Sequence, residues 1–113
     1  MGNPFTGFHK SNENKGIASE RLARSALMPL REKLQLWQRK AAHLHGDCFD
    51  MAARHQSCEP LYAEARELAK TAAGEMEWAR QHFAAHRSTS RFADLELHFA
   101  RLMASLRHLV GDA

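Results

Sequence analysis

Isoleucine and valine are almost absent from this sequence, where Ile17 and Val110 are the only examples. Because β-branched residues favour strands over helices, their scarcity argues against a β-rich fold. Proline is also rare, with three residues in a chain of 113, so few positions oppose a long helix. The composition therefore predicts an all-α protein.

Long apolar runs are missing as well. No stretch approaches the roughly 20 apolar residues that a membrane-spanning helix needs, and residues 1–11 lack the apolar core of a signal peptide. We therefore expect no membrane association and a cytoplasmic location. Cys48 and Cys58 are the only cysteines, and in a reducing cytosol both are expected to be free thiols.

Positive charge is concentrated in the first part of the chain. Residues 1–46 hold eight Lys or Arg residues against three acidic residues, whereas residues 47–113 hold eight against ten. A basic segment favours association with an acidic partner or with nucleic-acid phosphates. A solvated helix face of no special function often carries a similar charge run, and this interpretation stays open.

Three segments place apolar or small residues at alternating intervals of three and four, which aligns them in one stripe on a helix. The stripes run over residues 27–44, 62–83 and 92–109. Four of the seven positions in the second stripe are alanine, so neighbouring helices can approach closely, and we expect this helix to be central. Three amphipathic helices with short connections predict an antiparallel three- or four-helix bundle.

Residues 1–16 are rich in residues that favour turns, which predicts an irregular basic arm before a single helical-bundle domain over residues 17–113. Phe5 and Phe8 in this arm are interpreted as covering an apolar patch of the bundle. Pro29 lacks a backbone N–H and disfavours helical geometry at the residue before it, so we expect a kink or a new helix start there.

The segment between the first two stripes allows two interpretations. Gly46 is placed to end the first helix and Asp47 to cap a short fourth helix over residues 47–56, with Pro60 in the first turn of the next helix. Alternatively, the apolar register continues through residues 27–86 in one bent helix. Gly and Pro weaken a helix interior by roughly 1 and 3 kcal/mol, so we favour the break.

Two large apolar residues, Leu36 and Trp78, lie off the stripes and face outward unless another segment covers them. Tryptophan is enriched at binding hot spots, so Trp78, one turn after Gly74, predicts a surface for a protein partner or a second copy. The alternative is that the arm or residues 47–56 cover Trp78. We predict a non-enzymatic interaction module in which basic residues of the first helix steer an acidic partner. The predicted partner-binding residues are Trp78, Gly74, Leu36, Arg31, Lys33, Arg39 and Lys40.

A small nucleic-acid-binding regulator is the second hypothesis, although the sequence has no helix-turn-helix signature. Its phosphate-binding residues would be Lys10, Lys15, Arg21 and Arg24. A structural zinc site is the third hypothesis, because two His-x2-Cys pairs supply nitrogen and sulfur ligands. Those ligands would be His45, Cys48, His55 and Cys58. We favour the plainer interpretation that the cysteines are core residues and the histidines are solvated, and no cofactor is predicted.

Overall fold

The computed structural model describes residues 4–111, with side chains from residue 20 onward. Helix α1 spans Pro4–Ala53, α2 spans Glu59–His82 and α3 spans Ser90–Val110, and a 3-10 turn at Ala84–His86 follows α2. No strand occurs between residues 4 and 111, and the three helices pack against one another. The predicted all-α class is therefore confirmed. None of these helices has a stretch apolar and long enough to cross a bilayer.

Helix α1 is continuous where the sequence predicts interruptions. Residues 4–16 belong to α1 instead of forming an irregular arm, and Pro29 starts no new helix. Leu27 and Leu30 on either side of Pro29 are buried, whereas Pro29 itself is exposed. Packing of the buried face therefore holds the helix through a position that is intrinsically unfavourable. The predicted contacts of Phe5 and Phe8 lie outside the side chains that the structure describes.

The first helix also continues past Gly46 and ends at Ala53. Cys48, two residues beyond Gly46, is buried, so packing extends the helix through the glycine. The separate fourth helix over residues 47–56 and the single bent helix over residues 27–86 are both wrong. A break is present, but it lies later than predicted, where His55 has a φ of 59° and Pro60 occupies the first turn of α2.

The core is formed by the three stripes. Its buried members on the stripes are Leu27, Leu30, Leu34, Ala41, Leu44, Ala65, Ala72, Met76, Ala79, Phe92, Leu95, Leu102 and Leu106. Phe83 and Phe99 are partly buried at its edge. Three of the four stripe alanines of α2 are buried and Ala69 is partly buried, but the most extensive helix contact joins α1 and α3, so α2 is not the central helix.

Both ends of α3 are capped. Thr89 precedes the helix in an extended conformation, and its hydroxyl accepts a hydrogen bond from Phe92 N at 3.3 Å. Gly111 follows the helix with a φ of 81°, and its N–H donates to the carbonyls of Arg107 and His108. Both ends therefore satisfy backbone groups that a helix leaves unpaired.

Candidate partner-binding groove and basic face

Helices α1 and α2 border a shallow groove, called here the α1–α2 groove. Its lining residues are Lys33, Lys70, Thr71, Gly74, Glu75 and Trp78. Leu36 lies between Lys33 and Lys40 on the same side of α1, because residues three and four apart are neighbours on a helix. The structure thus brings Lys33, Gly74 and Trp78 together, with Leu36 beside them.

Trp78 keeps 53% of its surface exposed, and residues 47–56 do not cover it. Its ring stacks on His82 with centroids 4.3 Å apart and meets Phe83 edge-on at 5.6 Å. These neighbours lie one turn further along α2, so they support the indole from one side only. The indole is held in place by aromatic contacts while much of its surface faces solvent.

The predicted basic residues of α1 separate onto different sides of the helix. Lys33 Nζ lies 3.1 Å from a carboxylate oxygen of Glu75, and Lys40 Nζ lies 3.6 Å from one of Glu64, both on α2. Arg31 forms its ion pair with α3 instead, and Arg39 is exposed. Lys33 and Lys40 on this side of α1 are therefore already paired with carboxylates of α2.

Helices α1 and α3 form a second surface, called here the arginine face. Its first hollow is lined by Arg24, Leu27, Met28, Arg31, Arg91, Asp94 and Leu95. A second hollow further along is lined by Gln38, Ala41, Arg101, Leu102 and Ser105. Three guanidinium groups and one carboxylate line the first hollow, and because Arg31 pairs with Asp94, the guanidinium groups of Arg24 and Arg91 remain outside that pair. Of the predicted nucleic-acid residues, Arg24 lines this hollow and Arg21 is exposed one turn earlier on α1, whereas Lys10 and Lys15 lie outside the described side chains.

His98 lies between the two hollows of the arginine face. Its Nε2 is 3.3 Å from Asp94 Oδ1, and its Nδ1 is 3.3 Å from the amide nitrogen of Gln38. A neutral ring protonated on Nε2 fits both contacts, donating to Asp94 and accepting from Gln38. Burial, followed by the charges of Arg31 and Arg101, lowers the pKa of His98 despite the nearby carboxylate.

Both ends of the arginine face are fixed by hydrogen bonds between α1 and α3. Glu20 accepts from the backbone N–H of Ser90 at 3.1 Å and from its hydroxyl at 2.8 Å, and these bonds lower the pKa of Glu20. At the other end, His45 Nε2 lies 3.0 Å from the carbonyl oxygen of Ser105 and 3.1 Å from its hydroxyl. His45 also stacks loosely on His108, with centroids 6.3 Å apart.

The four proposed zinc ligands do not converge. Cys58 Sγ donates to the carbonyl oxygen of Cys48 at 3.3 Å, and burial raises the pKa of the Cys48 thiol. His45 contacts α3, while His55 is exposed in the turn after α1. Among the side chains of residues 20–111, no group of three or more His, Cys, Asp or Glu residues has the arrangement of a metal site.

Helices α2 and α3 are joined by one well-formed ion pair. Arg80 donates to both carboxylate oxygens of Glu96, from Nε at 2.8 Å and from an Nη at 2.9 Å. These bonds, partly opposed by burial, hold the pKa of Glu96 below its ordinary value. Arg80 also lies over the Phe99 ring at 5.5 Å, so its side chain closes the edge of the core.

Arg91 and Arg101 were not among the predicted binding residues, because they lie in the part of the chain where acidic residues outnumber Lys and Arg. The spacing of Arg24 and Arg31 indicates part of the arginine face, because residues seven apart lie on the same side of a helix, here beside the first stripe. That spacing marks one edge of α1. Only the packed structure shows that α3 supplies further arginines to the same edge.

No protein-family model matches this chain, and the searches found no similar curated protein and no similar solved structure.

Proposed function

We propose that this protein is a non-enzymatic helical interaction module that forms a homodimer through the α1–α2 groove. The observation that carries the proposal is Trp78, which is 53% exposed and braced by His82 and Phe83 beside the groove. A large aromatic side chain held in place gives binding energy at little conformational cost.

The proposal includes an up-down-up arrangement of the three helices. Two ion pairs support an antiparallel α1 and α2: Lys33 pairs with Glu75, and the later Lys40 pairs with the earlier Glu64. Between α1 and α3, later residues of one helix contact later residues of the other, which supports a parallel pair. Those contacts are Arg31 with Asp94, Gln38 with His98, and His45 with Ser105. This arrangement supports an α1–α2 groove that runs along the bundle, open to a neighbour.

Further exposed apolar side chains extend the proposed surface. Leu36 is 58% exposed and Leu22, two heptads earlier on the same side of α1, is 64% exposed. Neither leucine lines the groove itself, so Trp78 is its apolar anchor and the leucines add exposed apolar surface on α1. Exposed large apolar side chains beside a groove are typical of a surface that another chain covers.

Charge around the groove is mixed, which suits a second copy of the chain. Lys33 and Lys40 are paired with Glu75 and Glu64, and Lys70 also lines the groove, so carboxylates lie next to its ammonium groups. A two-fold related copy presents the same mixture in the opposite direction, which allows lysine of one chain to meet glutamate of the other.

The proposal is tested by sedimentation equilibrium over protein concentrations from micromolar to submillimolar. The wild type is expected to dimerise, and Gly74→Leu to abolish dimerisation by filling the groove. A Cβ at Gly74 meets nothing within 4 Å, so this variant is expected to keep its fold. Gly46→Leu is the matched control, because Gly46 is also helical, also exposed and also open to a Cβ.

A second pair of variants tests the apolar contacts. Trp78→Gln is expected to weaken dimerisation by about 30-fold, the effect of losing about 2 kcal/mol at a hot spot. Leu97→Gln is the control, since Leu97 on α3 is 49% exposed and lies outside the groove lining. A wild type that stays monomeric at every concentration, or a dimer insensitive to Trp78→Gln and Gly74→Leu, would contradict the proposal.

A further inference from the structure

We propose that the arginine face binds the phosphate backbone of a nucleic-acid duplex, independently of the α1–α2 groove. Three arginines, Arg24, Arg31 and Arg91, surround the first hollow, and Arg101 lines the second. With a rise of about 1.5 Å per residue, Arg91 and Arg101 are about 15 Å apart along α3. The face therefore presents a row of guanidinium groups instead of a single positive site.

Most of this charge is available to a ligand. Among the described side chains, Arg24, Arg91 and Arg101 form no ion pair, whereas Arg31 is paired with Asp94. Glu20 is a second carboxylate at this face; it is bound to the start of α3 through Ser90, and it also interacts electrostatically with Arg91 without forming an ion pair. Guanidinium groups bind phosphate oxygens in bidentate geometry, which a row of arginines supplies and a row of lysines does not.

A single side chain lies within reach of the arginines of both hollows. Burial lowers the pKa of His98, and the charges of Arg31 and Arg101 lower it further. Those two arginines belong to different hollows, yet both act on the same imidazole. The two hollows are therefore close enough for one extended polyanion to contact both.

The side chains of the face favour a duplex over a single strand or a protein. Single strands are held by aromatic side chains on which bases stack, and no aromatic residue lines either hollow. Of the exposed large apolar side chains among the described residues, only Met28 borders a hollow. Apolar anchors for a protein partner lie on the other side of α1, at the α1–α2 groove. The arginine face instead presents groups that bind phosphate. A duplex supplies phosphates densely, with about one negative charge per 1.7 Å of its axis.

Fluorescence anisotropy with a labelled duplex of about 20 base pairs, from about 50 to 200 mM salt, tests the inference. The full chain is expected to bind with a steep salt dependence. The triple variant Arg24→Gln/Arg91→Gln/Arg101→Gln is expected to lose at least about tenfold in affinity at low salt. Its plot of log affinity against log salt is expected to be shallower by about 2 to 3 units.

The matched control is Arg39→Gln/Arg54→Gln/Arg66→Gln, which removes the same charge from exposed positions outside both hollows. It is expected to keep most of the affinity, and Gly74→Leu is expected to bind the duplex like wild type. Circular dichroism of each variant confirms that the helices remain. An equal loss in both triple variants would overturn the arginine face as the site.

Two further readouts separate a duplex from other polyanions. A single strand of the same length and poly-glutamate at equal charge concentration are expected to compete weakly, and equal competition by either one overturns the assignment. The imidazole protons of His98, followed by NMR, are expected to titrate at higher pH when the duplex is bound, because phosphates offset Arg31 and Arg101. An unchanged His98 titration in a saturated complex would place the duplex elsewhere.

Discussion

Arg80 and Glu96 show how a single side-chain pair fixes the position of two helices. The pair is bidentate, and its lowered Glu96 pKa means that the folded state favours the charged carboxylate. Both side chains are about a third exposed, at 29% and 34%, so solvent reduces the strength of the pair. Its contribution is therefore that of a favourable surface pair, near the upper end of the usual range.

Replacing Glu96 with glutamine tests this pair. We expect Glu96→Gln to lower the unfolding free energy by about 1 kcal/mol at pH 7. A depressed carboxyl pKa stabilises the fold above its ordinary value near 4.5, and this stabilisation is lost as pH falls through the lower folded value. The difference from wild type is therefore expected to shrink between about pH 5 and pH 3 in urea denaturation. Glu77→Gln is the control, because Glu77 contacts Arg80 at 3.4 Å from an exposed position. A stability difference between wild type and Glu96→Gln that persists undiminished at pH 3 would contradict the electrostatic account.

The two cysteines differ in exposure and offer a second test at the scale of a residue. Cys48 is buried and its thiol pKa is raised, first by burial and then by its contact with Cys58. Since the thiolate is the reactive form, we expect iodoacetamide at pH 8 to modify Cys48 at least about tenfold more slowly than half-buried Cys58. Mass spectrometry of each peptide over time measures both rates, and unfolding in urea should make them similar. Faster labelling of Cys48 in the folded protein would show that the end of α1 is open.

At the scale of helices, the stripes were predictable from sequence and the helix boundaries were only partly so. Thr89 and Gly111 cap the ends of α3, and such caps depend only on the residue type at the helix end, which can be read from the sequence. Pro29 and Gly46 predict breaks by the same local chemistry, but both lie inside α1. Buried leucines around Pro29 and buried Cys48 beyond Gly46 outweigh the local preference, and that packing depends on residues far along the chain.

Gly46 and Gly111 differ in backbone conformation, and alanine substitutions expose the difference. Gly46 is helical with open space around a Cβ, so Gly46→Ala is expected to raise the unfolding free energy by about 0.5 to 1 kcal/mol. Gly111 has a φ of 81°, where a side chain is strained, so Gly111→Ala is expected to lower it by about 1 kcal/mol. Thermal or urea denaturation of both variants measures the two signs. Destabilisation by Gly46→Ala would indicate that the glycine is needed for a close contact.

At the scale of the whole molecule, the candidate surfaces differ in how far the sequence reveals them. Trp78 and Leu36 are visible as large residues that interrupt the apolar spacing, so their exposure follows from the pattern. Arg31 was grouped with Lys33 because they are close in sequence, yet they contact different helices. Which edge of α1 faces which neighbour is set by helix packing, and no local pattern specifies it.

The proposed homodimer predicts that stability depends on protein concentration. For a folded dimer that unfolds to monomers, each tenfold rise in protein concentration adds about 1.4 kcal/mol. We expect the melting temperature of the wild type to rise over a hundredfold concentration range, and that of Gly74→Leu to stay constant. Scanning calorimetry or circular dichroism measures both. A wild-type melting temperature that does not change with concentration would be inconsistent with the dimer.

The distribution of charge around the bundle has a consequence for how the molecule approaches other charged bodies. Helix α2 carries five glutamates against three basic residues, while the arginine face lies on the side formed by α1 and α3. Excess negative charge on α2 and the guanidinium groups of the arginine face therefore lie on different sides of the bundle. Near a polyanion, this separation of charge favours one orientation of the molecule. In that orientation several guanidinium groups of the arginine face meet the polyanion together, and the carboxylates of α2 face away from it.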